Sequence, residues 1–524
     1  VIRPRPGSRF GWQLAAVAVA AALLRLGLLW HSGGWHSAIE YDDGVHYESS
    51  ALLLHGVLPY RDYTFLQPPG ITWLLLPSAA VGRLLGDAAG LVLARIATVV
   101  AASAATVLLG RLVARHTSPH RGLLAAAVYA VAAPALIAGR TAMLEPWLDV
   151  ALLVAYDRLG RRALTRRDCV IGGLALGAAV TVKAWGLLAA IVLLGWLLLR
   201  RPRIDARTLG RIVVPACGAV ALVCLPFFVI APGHMIRDVI TAQLGRPVDG
   251  TAGTFARWAQ FLAVKPVFAD PQVPVAVATL VVAACAVGAL RRGPIAWLML
   301  GELAAGIAMF ALSPPYFFHY GDYLIVPLAA LVAFAFPALH PSPGSGRRIR
   351  TGAAWTAVWV LAVGGVVQLA AAWQQGTAAS VNVDQLNDLV GATRCVTADQ
   401  PVLLELADAT NRDCRPWPDP HGTALLDLPA QVGNRFYPLG FRRVPLFQDD
   451  WRAELAASSM VILTGPPCGR MTAWTPALCV AFRRDFRYAG AAGRATPALL
   501  PVEVWRRVRF DPRPVSHAVG TFAR

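Results

Sequence analysis

Apolar runs about 20 residues long recur along this 524-residue chain, and a run of that length is enough to cross roughly 30 Å of hydrocarbon as a helix. Residues 11–30 form the first. Further candidates are 88–110, 121–138, 143–158, 169–182, 186–200, 211–231, 272–290, 294–312, 322–338 and 351–372, giving about eleven spans, the shorter ones completed by flanking residues. Hydrophobic residues make up 56% of the chain, charged ones only 15%, and mean hydropathy is +0.53. No soluble core of this length needs so much apolar surface. The expected fold class is a polytopic α-helical membrane protein. Arg3, Arg5 and Arg9 give the first run a signal-like basic flank, but no small-residue cleavage site follows, so an uncleaved first helix is expected.

The formal net charge of +18 does not point to nucleic acid, because the arginines fall in short blocks between apolar runs. "RLVARHTSPHR", "DRLGRRALTRRD", "RRPRIDARTLGR", the pair at 291–292 and "RRIR" at 347–350 have the pattern of cytoplasmic loops. Residues 71–86 decide the topology. At 1.5 Å per residue they reach only about 24 Å, they contain Pro77, and Pro68-Pro69 precede them. If they crossed, every later arginine block would lie outside; as an interfacial helix on the outer surface they leave every block inside. The second arrangement is expected, with the N-terminus cytoplasmic and the C-terminus extracytoplasmic in a plasma (inner) membrane.

From about residue 376 the apolar runs shorten. "QPVLLEL" and "SSMVILTG" read as buried strands between helical stretches such as 383–391. Two domains are therefore expected: 1–375 in the membrane, and 376–524 as an extracytoplasmic α/β domain. The latter holds Cys395, Cys414, Cys468 and Cys479, an even number suited to one or two disulfides in an oxidising compartment. Cys169, Cys217, Cys224 and Cys285 lie in or beside spans as packing residues, and no pair has zinc-ligand spacing.

The candidate chemistry collects at the outer face. "YDDGVHYESSALLLHGVLPYRDYTFLQPPG", residues 41–70, brings Asp42, Asp43, Glu48 and Asp62 against the bilayer. Solvated loops tolerate acids, but Asp42-Asp43 open a helix-like run, where carboxylates are stabilised and can act as a general base on a hydroxyl. Lys183, one of only two lysines, sits in "LALGAAVTVKAWGLL". A charge there costs several kcal/mol unless it faces a partner or water, and a compact ammonium suits a lipid phosphate; simple snorkelling is the alternative. Glu145, after Arg140 in "GRTAMLEPWLD", is either a helix-start acid or a second wall of a site. Arg95 needs an anionic partner within its span. His319 in "FFHYGDY" fits core packing or a site equally, and Arg246 in "QLGRP" is by default a solvated charge. Gly-rich nucleotide loops, HExxH and Ser-His-Asp signatures are absent from the sequence, so an outer-face enzyme would take its activated group from a lipid carrier.

Taken in order, these motifs resemble the GT-C glycosyltransferases, the polytopic enzymes that use polyprenyl-phosphate sugars. The resemblance is to the branch of protein O-mannosyltransferases and the lipid A aminoarabinose transferase. It runs over roughly residues 10–340, through Asp43 with Tyr47, surface helices at 43–56 and 69–86 flanking "QPPG", Arg95, "RTAMLEP", "TVKAWG", "QLGRP" and "FFHYGDYLIVP". It implies Asp43, with Asp42 in reserve, as the general base of an inverting transfer. Lys183, Arg246, His319, Arg95 and Tyr47 would lie on the donor phosphate side, and Glu145, Arg140, Asp62 and Gln67 on the acceptor side or second wall. Gln67 stands where that branch has a lysine, which shifts phosphate contacts to Lys183 and Arg246. The Asp42-Asp43-Gly44 run is also similar to actinobacterial cell-wall arabinosyl- and mannosyltransferases, and the arginine-rich, lysine-poor composition fits such a source. The implied partners are a polyprenyl-phosphate-sugar donor, a glycan, glycolipid or protein acceptor, and the bilayer, with no nucleic acid. The residues demand no cofactor and leave open whether a divalent metal takes part. A lipid-linked sugar flippase would instead show matched repeats with broken helices, and an inactive scaffold would have lost the aspartate pair.

Overall fold

The computed structural model describes residues 8–201, 203–246, 251, 253–265, 267–290, 293–336, 347–374, 379–410, 416–427, 439–469, 472–493 and 502–508. The chain is a multi-pass helical membrane protein carrying a small α/β domain. In chain order, α1 (Ser8–His31) leads to β1 (Ser37–Ala38) and to two short helices, α2 (Tyr41–Leu54) and α3 (Gly70–Leu85). The bundle continues with α4 (Asp87–His116), α5 (Pro119–Val131), α6 (Ala133–Ala138), α7 (Glu145–Leu159), α8 (Arg166–Val182), α9 (Trp185–Leu199) and α10 (Ala206–Ile230). The next stretch, α11 (Pro232–Ile236), runs through a π turn at Arg237–Thr241 into α12 (Ala242–Leu244), followed by α13 (Thr254–Phe261). Then come α14 (Gln272–Ala289), α15 (Pro294–Leu312), α16 (Asp322–Ala335) and α17 (Arg347–Gln374).

Among the described residues six helices are long and apolar enough to cross a bilayer unaided: α1, α4, α10, α14, α15 and the stretch Phe318–Ala335. The expected span 121–138 is split. Ala132 is extended, and Pro134 in the first turn of α6 cannot continue the ladder of α5. A capping box between Thr165 and Asp168 starts α8.

The arginine loops gather at one end of the bundle. Arg115 pairs with Asp157 at 2.5 Å and Arg161 with Asp168 at 2.8 Å, and Arg200 donates to the carbonyls of Leu159 and Arg161. The arginines at 291–292 lie outside the described residues. Helix α3 has both its ends at the opposite end. Gly70 abuts Thr181 at the close of α8, and the N–H of Asp87, just past α3, donates to Asp408 of the C-terminal domain at 2.8 Å. A helix with both ends on one surface does not cross, as its length and prolines suggested.

In the C-terminal domain, β2 (Ala379–Ser380) pairs antiparallel with β1, tying the domain to the loop before α2. Helix α18 (Val383–Val390) follows, then β3 (Val396–Ala398), α19 (Pro401–Leu406), α20 (Pro420–Ala424), α21 (Pro445–Ala457), β4 (Met460–Leu463), α22 (Pro476–Asp485), β5 (Phe486–Ala492) and β6 (Val502–Arg507). The sheet order is β3-β4-β6-β5, with β3 parallel to β4 and the other pairings antiparallel. "SSMVILTG" holds the fully buried strand β4, as expected. "QPVLLEL" does not form a strand: Pro401 opens the helix α19 there. A short run buried on most sides has no alternation to separate strand from helix, and a proline that would break a ladder is at home in a first helical turn. Cys468 is bonded to Cys479, and Cys395 is also in a disulfide; Cys414 lies outside the described residues.

The two domains share packing. A Cβ on Gly44 would sit 2.4 Å from the backbone N of Val402, so α2 and α19 touch through bare backbone, and the main apolar core runs on from Val45 and Leu52 to Val402 and Leu403.

Candidate functional site at the end of the bundle opposite the arginine loops

The site is built around the first turn of α2, where successive residues point about 100° apart. Asp43 turns inward and is fully buried. Its Oδ2 accepts from Arg95 Nε at 2.8 Å and from Arg95 Nη2, and its Oδ1 accepts from the Ala142 N–H at 2.7 Å. Arg95 also donates to the carbonyls of Trp35 at 2.6 Å and Ser37 at 2.8 Å. The pair is thus sealed, and it fixes the loop leading into α2. Asp43 and Arg95, expected as base and donor contact, are occupied with each other because a buried guanidinium must spend its donors on an anion and on carbonyls.

Asp42, one position earlier, is half-buried and has no hydrogen-bond or ion-pair partner among the described residues. Its charge acts on Glu40, Tyr41, His46, Asp419 and His421. It is the carboxylate of the doublet whose charge reaches the C-terminal domain, at Asp419 and His421.

A second group lies alongside. Lys183 breaks α8 with an extended backbone, which places its ammonium at the negative end of that helix; Glu145 opens α7, at its positive end. The two meet at 2.5 Å. The ammonium lies 3.7 Å from the Trp185 ring centre and 4.7 Å from that of Tyr320, so aromatic faces complete its cage. His319 Nε2 stands 3.9 Å from Glu145 Oε1, and neither it nor Glu145 Oε2 has a hydrogen-bond partner in the structure. Arg140 donates to Ser32 Oγ at 2.7 Å and to Glu40 at 3.3 Å. The Arg246 guanidinium lies 5.7 Å from the Phe317 ring centre, and its charge acts on Asp419 and His421.

Three expected site residues lie elsewhere. The Tyr47 hydroxyl enters a slot where a Cβ on either Gly82 or Gly90 would be about 2 Å away, and it donates to Asp87 at 3.0 Å; it locks α2 to α3 and α4 rather than facing a donor. Asp62 pairs with Arg61 at the surface and accepts the Leu58 N–H at 2.7 Å. Gln67 enters through its carbonyl, which accepts from the Tyr60 hydroxyl at 2.6 Å and shapes the loop before α3.

The C-terminal domain supplies residues that sequence reasoning missed. The Tyr41 hydroxyl donates to Asp419 Oδ1 at 3.1 Å and accepts the His421 N–H at 3.0 Å, while its ring stacks on the His421 imidazole at 4.4 Å. Burial, reinforced by the Asp42 charge, pushes Asp419 up to about 7. Burial, with help from Arg246, pushes His421 down to about 3, so its imidazole is neutral. The only sequence signal was "PDPHG", a cap-and-turn pattern with nothing catalytic about it. Among the described residues no group of three or more His, Cys, Asp or Glu side chains is arranged to hold a metal ion.

No protein-family model and no curated protein matches the sequence. Solved structures do. ArnT from Cupriavidus metallidurans bound to undecaprenyl phosphate superposes with a TM-score of 0.57 at 14% identity, covering 94% of this chain and 98% of that one. Its apo form gives 0.59 at 13% identity, covering 95% and 98%. The Archaeoglobus fulgidus oligosaccharyltransferase, in complex with zinc and sulfate, gives 0.57 at 14% identity, covering 94% of this chain and 72% of its own. At such identities the likeness is one of architecture, and the architecture this chain has is the GT-C fold.

Proposed function

We propose that this protein is a membrane glycosyltransferase. It moves a pentose or hexose from a polyprenyl-phosphate carrier to a hydroxyl of a cell-envelope acceptor at the outer face, with inversion. The observation that carries this reading is the division of labour in the aspartate doublet: Asp43 is sealed against Arg95, while Asp42 has no hydrogen-bond or ion-pair partner among the described residues and shares its electrostatic neighbours Glu40, His46 and Asp419 with His319, Lys183 and Arg246. Two structures of the same fold support the donor class, one with undecaprenyl phosphate bound and an archaeal oligosaccharyltransferase in complex with a dolichol-phosphate. The arginine loops at the opposite end support a cytoplasmic N-terminus and an extracytoplasmic C-terminal domain.

In this mechanism Asp42 takes the proton of the acceptor hydroxyl. The hydroxyl oxygen attacks the anomeric carbon from the face opposite the phosphate, the carbon–oxygen bond to phosphate breaks, and its electron pair leaves on polyprenyl phosphate. Charge grows on that phosphate as it departs. Lys183, which keeps N–H donors beyond the one given to Glu145, and His319, whose Nε2 is unpartnered, stabilise it together with Arg246.

The test pairs donor binding with transfer, using undecaprenyl phosphate as the binding probe. Transfer is followed as polyprenyl phosphate released from lipid-linked sugars of the source envelope, with that envelope as acceptor. Asp42→Asn should bind the probe as wild type does and lose about a hundredfold or more in turnover. Full turnover in Asp42→Asn sinks the general-base assignment. Unchanged envelope glycans in a deletion strain, read by mass spectrometry, sink the function.

A further inference from the structure

We propose that Asp419 and His421 of the C-terminal domain are positioning residues for the transfer, acting through Tyr41 to fix the direction of Asp42. The inference rests on the reading of Asp42 as base and gives the C-terminal domain a task in the transfer.

Three consecutive residues of α2 carry it. Asp43 is bolted downward to Arg95 and to the Ala142 N–H. Tyr41 is bolted upward, its hydroxyl held between the Asp419 carboxylate and the His421 N–H, its ring stacked on His421. The His421 ring stacks in turn on Phe441 at 4.7 Å, and Phe441 is part of the buried aromatic core of the domain. Asp419 is held by its own helix, accepting the Gly422 N–H at 2.7 Å as the cap of α20. The clamp therefore transmits the position of a whole domain to one hydroxyl. Asp42 lies between the two anchors, so its direction is set by both, although neither touches it. A helix start has backbone N–H groups without partners and frays unless side chains fix it, and the N-cap here, Glu40, makes no side-chain cap bond.

The groups facing Asp419 are Tyr41 and Asp42 on α2, Arg246 beyond α12, and His421 on its own helix. When Asp419 ionises, its bond from the Tyr41 hydroxyl becomes charge-assisted and the clamp tightens. Turnover should then rise with pH through about 7, where Asp419 titrates.

The experiment measures polyprenyl phosphate release from pH 5 to 9, and undecaprenyl phosphate binding, for the full chain and for Tyr41→Phe and Asp419→Asn. Tyr41→Phe keeps the stack and removes only the hydroxyl, so it serves if the second variant folds poorly. Each should lose about tenfold in turnover at pH 8, the worth of one charge-assisted hydrogen bond, with probe binding within about twofold of wild type. Both should lose the rise through pH 7, because one lacks the titrating acid and the other the link to it. Profiles scaled down without a change of shape, or probe binding lost in parallel, overturn the clamp. Asp42→Asn separates the two claims: full turnover there overturns the base and the clamp with it, whereas a dead Asp42→Asn with unmoved pH profiles in the other two overturns the clamp alone.

Discussion

Helix α2 carries two sets of carboxylates, and they are handled in opposite ways. At its start two acids meet cations, Asp43 with Arg95 and the N-cap Glu40 with Arg140, while the half-buried Asp42 between them has no partner among the described residues. Two turns on, Glu48 meets only acids. It is buried with Oε2 unpartnered, and it lines a cleft against the C-terminal domain together with Leu52, Thr397, Leu404, Trp417 and Glu454. Glu405 of α19 lies nearby, fully buried, with neither carboxylate oxygen hydrogen-bonded. Burial, with the like charges of Asp87 and Glu454, pushes Glu48 up to about 8; burial and Glu48 hold Glu405 well above the usual carboxylate range. One end of the helix is thus an ionic joint and the other a joint of neutral acids. Charge that is kept must be paired, and charge that is not paired is given up by protonation.

Breaking the ionic joint should have the largest effect on stability. Asp43→Asn or Arg95→Ala leaves one buried partner uncompensated and should cost about 3–5 kcal/mol, seen as a lower melting temperature in detergent. Asp42→Asn, one residue away, should change stability by no more than about 0.5 kcal/mol while abolishing transfer. Equal destabilisation by the two would erase the distinction drawn between them. Lys183→Ala belongs with Asp43, since it strands Glu145. It should lose both stability and undecaprenyl phosphate binding, by about 2–4 kcal/mol in each measurement. Adding Glu145→Gln should recover much of the stability and none of the binding.

The neutral joint should respond to pH instead. Between about 4.5, where an unfolded glutamate releases its proton, and about 8, where Glu48 does so in the fold, the folded state holds a proton that the unfolded state has lost. Stability therefore falls as pH rises across that window, by on the order of 2–3 kcal/mol from pH 5 to pH 8. Glu48→Gln should flatten the slope. A melting temperature independent of pH in wild type would show that the Glu48 carboxyl is not kept neutral.

The bundle was legible in the sequence because its determinants are local. Run length, the spacing of arginines and the prolines around α3 each act within a few turns, and together they gave most of the apolar helices and the end of the bundle, opposite the arginine loops, at which α3 lies. Lys183 stood out through its rarity, and the structure places it with Glu145 and His319, residues also picked out in advance. What was not legible was partnership. Nothing in "YDDG" says which aspartate meets Arg95, 52 positions away, so the sequence does not show that Asp43 is the paired member and Asp42 the unpaired one. The place of Tyr47 was hidden for the same reason: its slot is made by two glycines on other helices. The Asp419–Tyr41 contact spans 378 positions and has no periodicity or motif behind it. Two stretches were misread locally: 121–138, which Pro134 splits, and α19, where a short run with five of its six residues buried fits either structure.

The smallest expected effect tests the comparison at its edge. Asp62 belongs to the same acidic stretch as Asp42 and Asp43 and was grouped with them in the sequence, yet it lies on the surface, partly exposed, beside an Arg61 side chain that is 47% exposed. Water screens such a pair, and holding two flexible side chains together offsets most of the attraction, so its worth is about 0–1 kcal/mol. The carboxylate also accepts the Leu58 N–H at 2.7 Å, but that donor is open to solvent and water can replace the bond. Asp62→Asn keeps one acceptor oxygen for Leu58 and loses only the charge. It should lower stability by no more than about 0.5 kcal/mol, lessened further at high salt, and leave undecaprenyl phosphate binding and transfer at wild-type levels. A transfer defect of tenfold or more in Asp62→Asn would place this loop in the acceptor wall after all, and the boundary of the site would move outward from the first turn of α2 to include it.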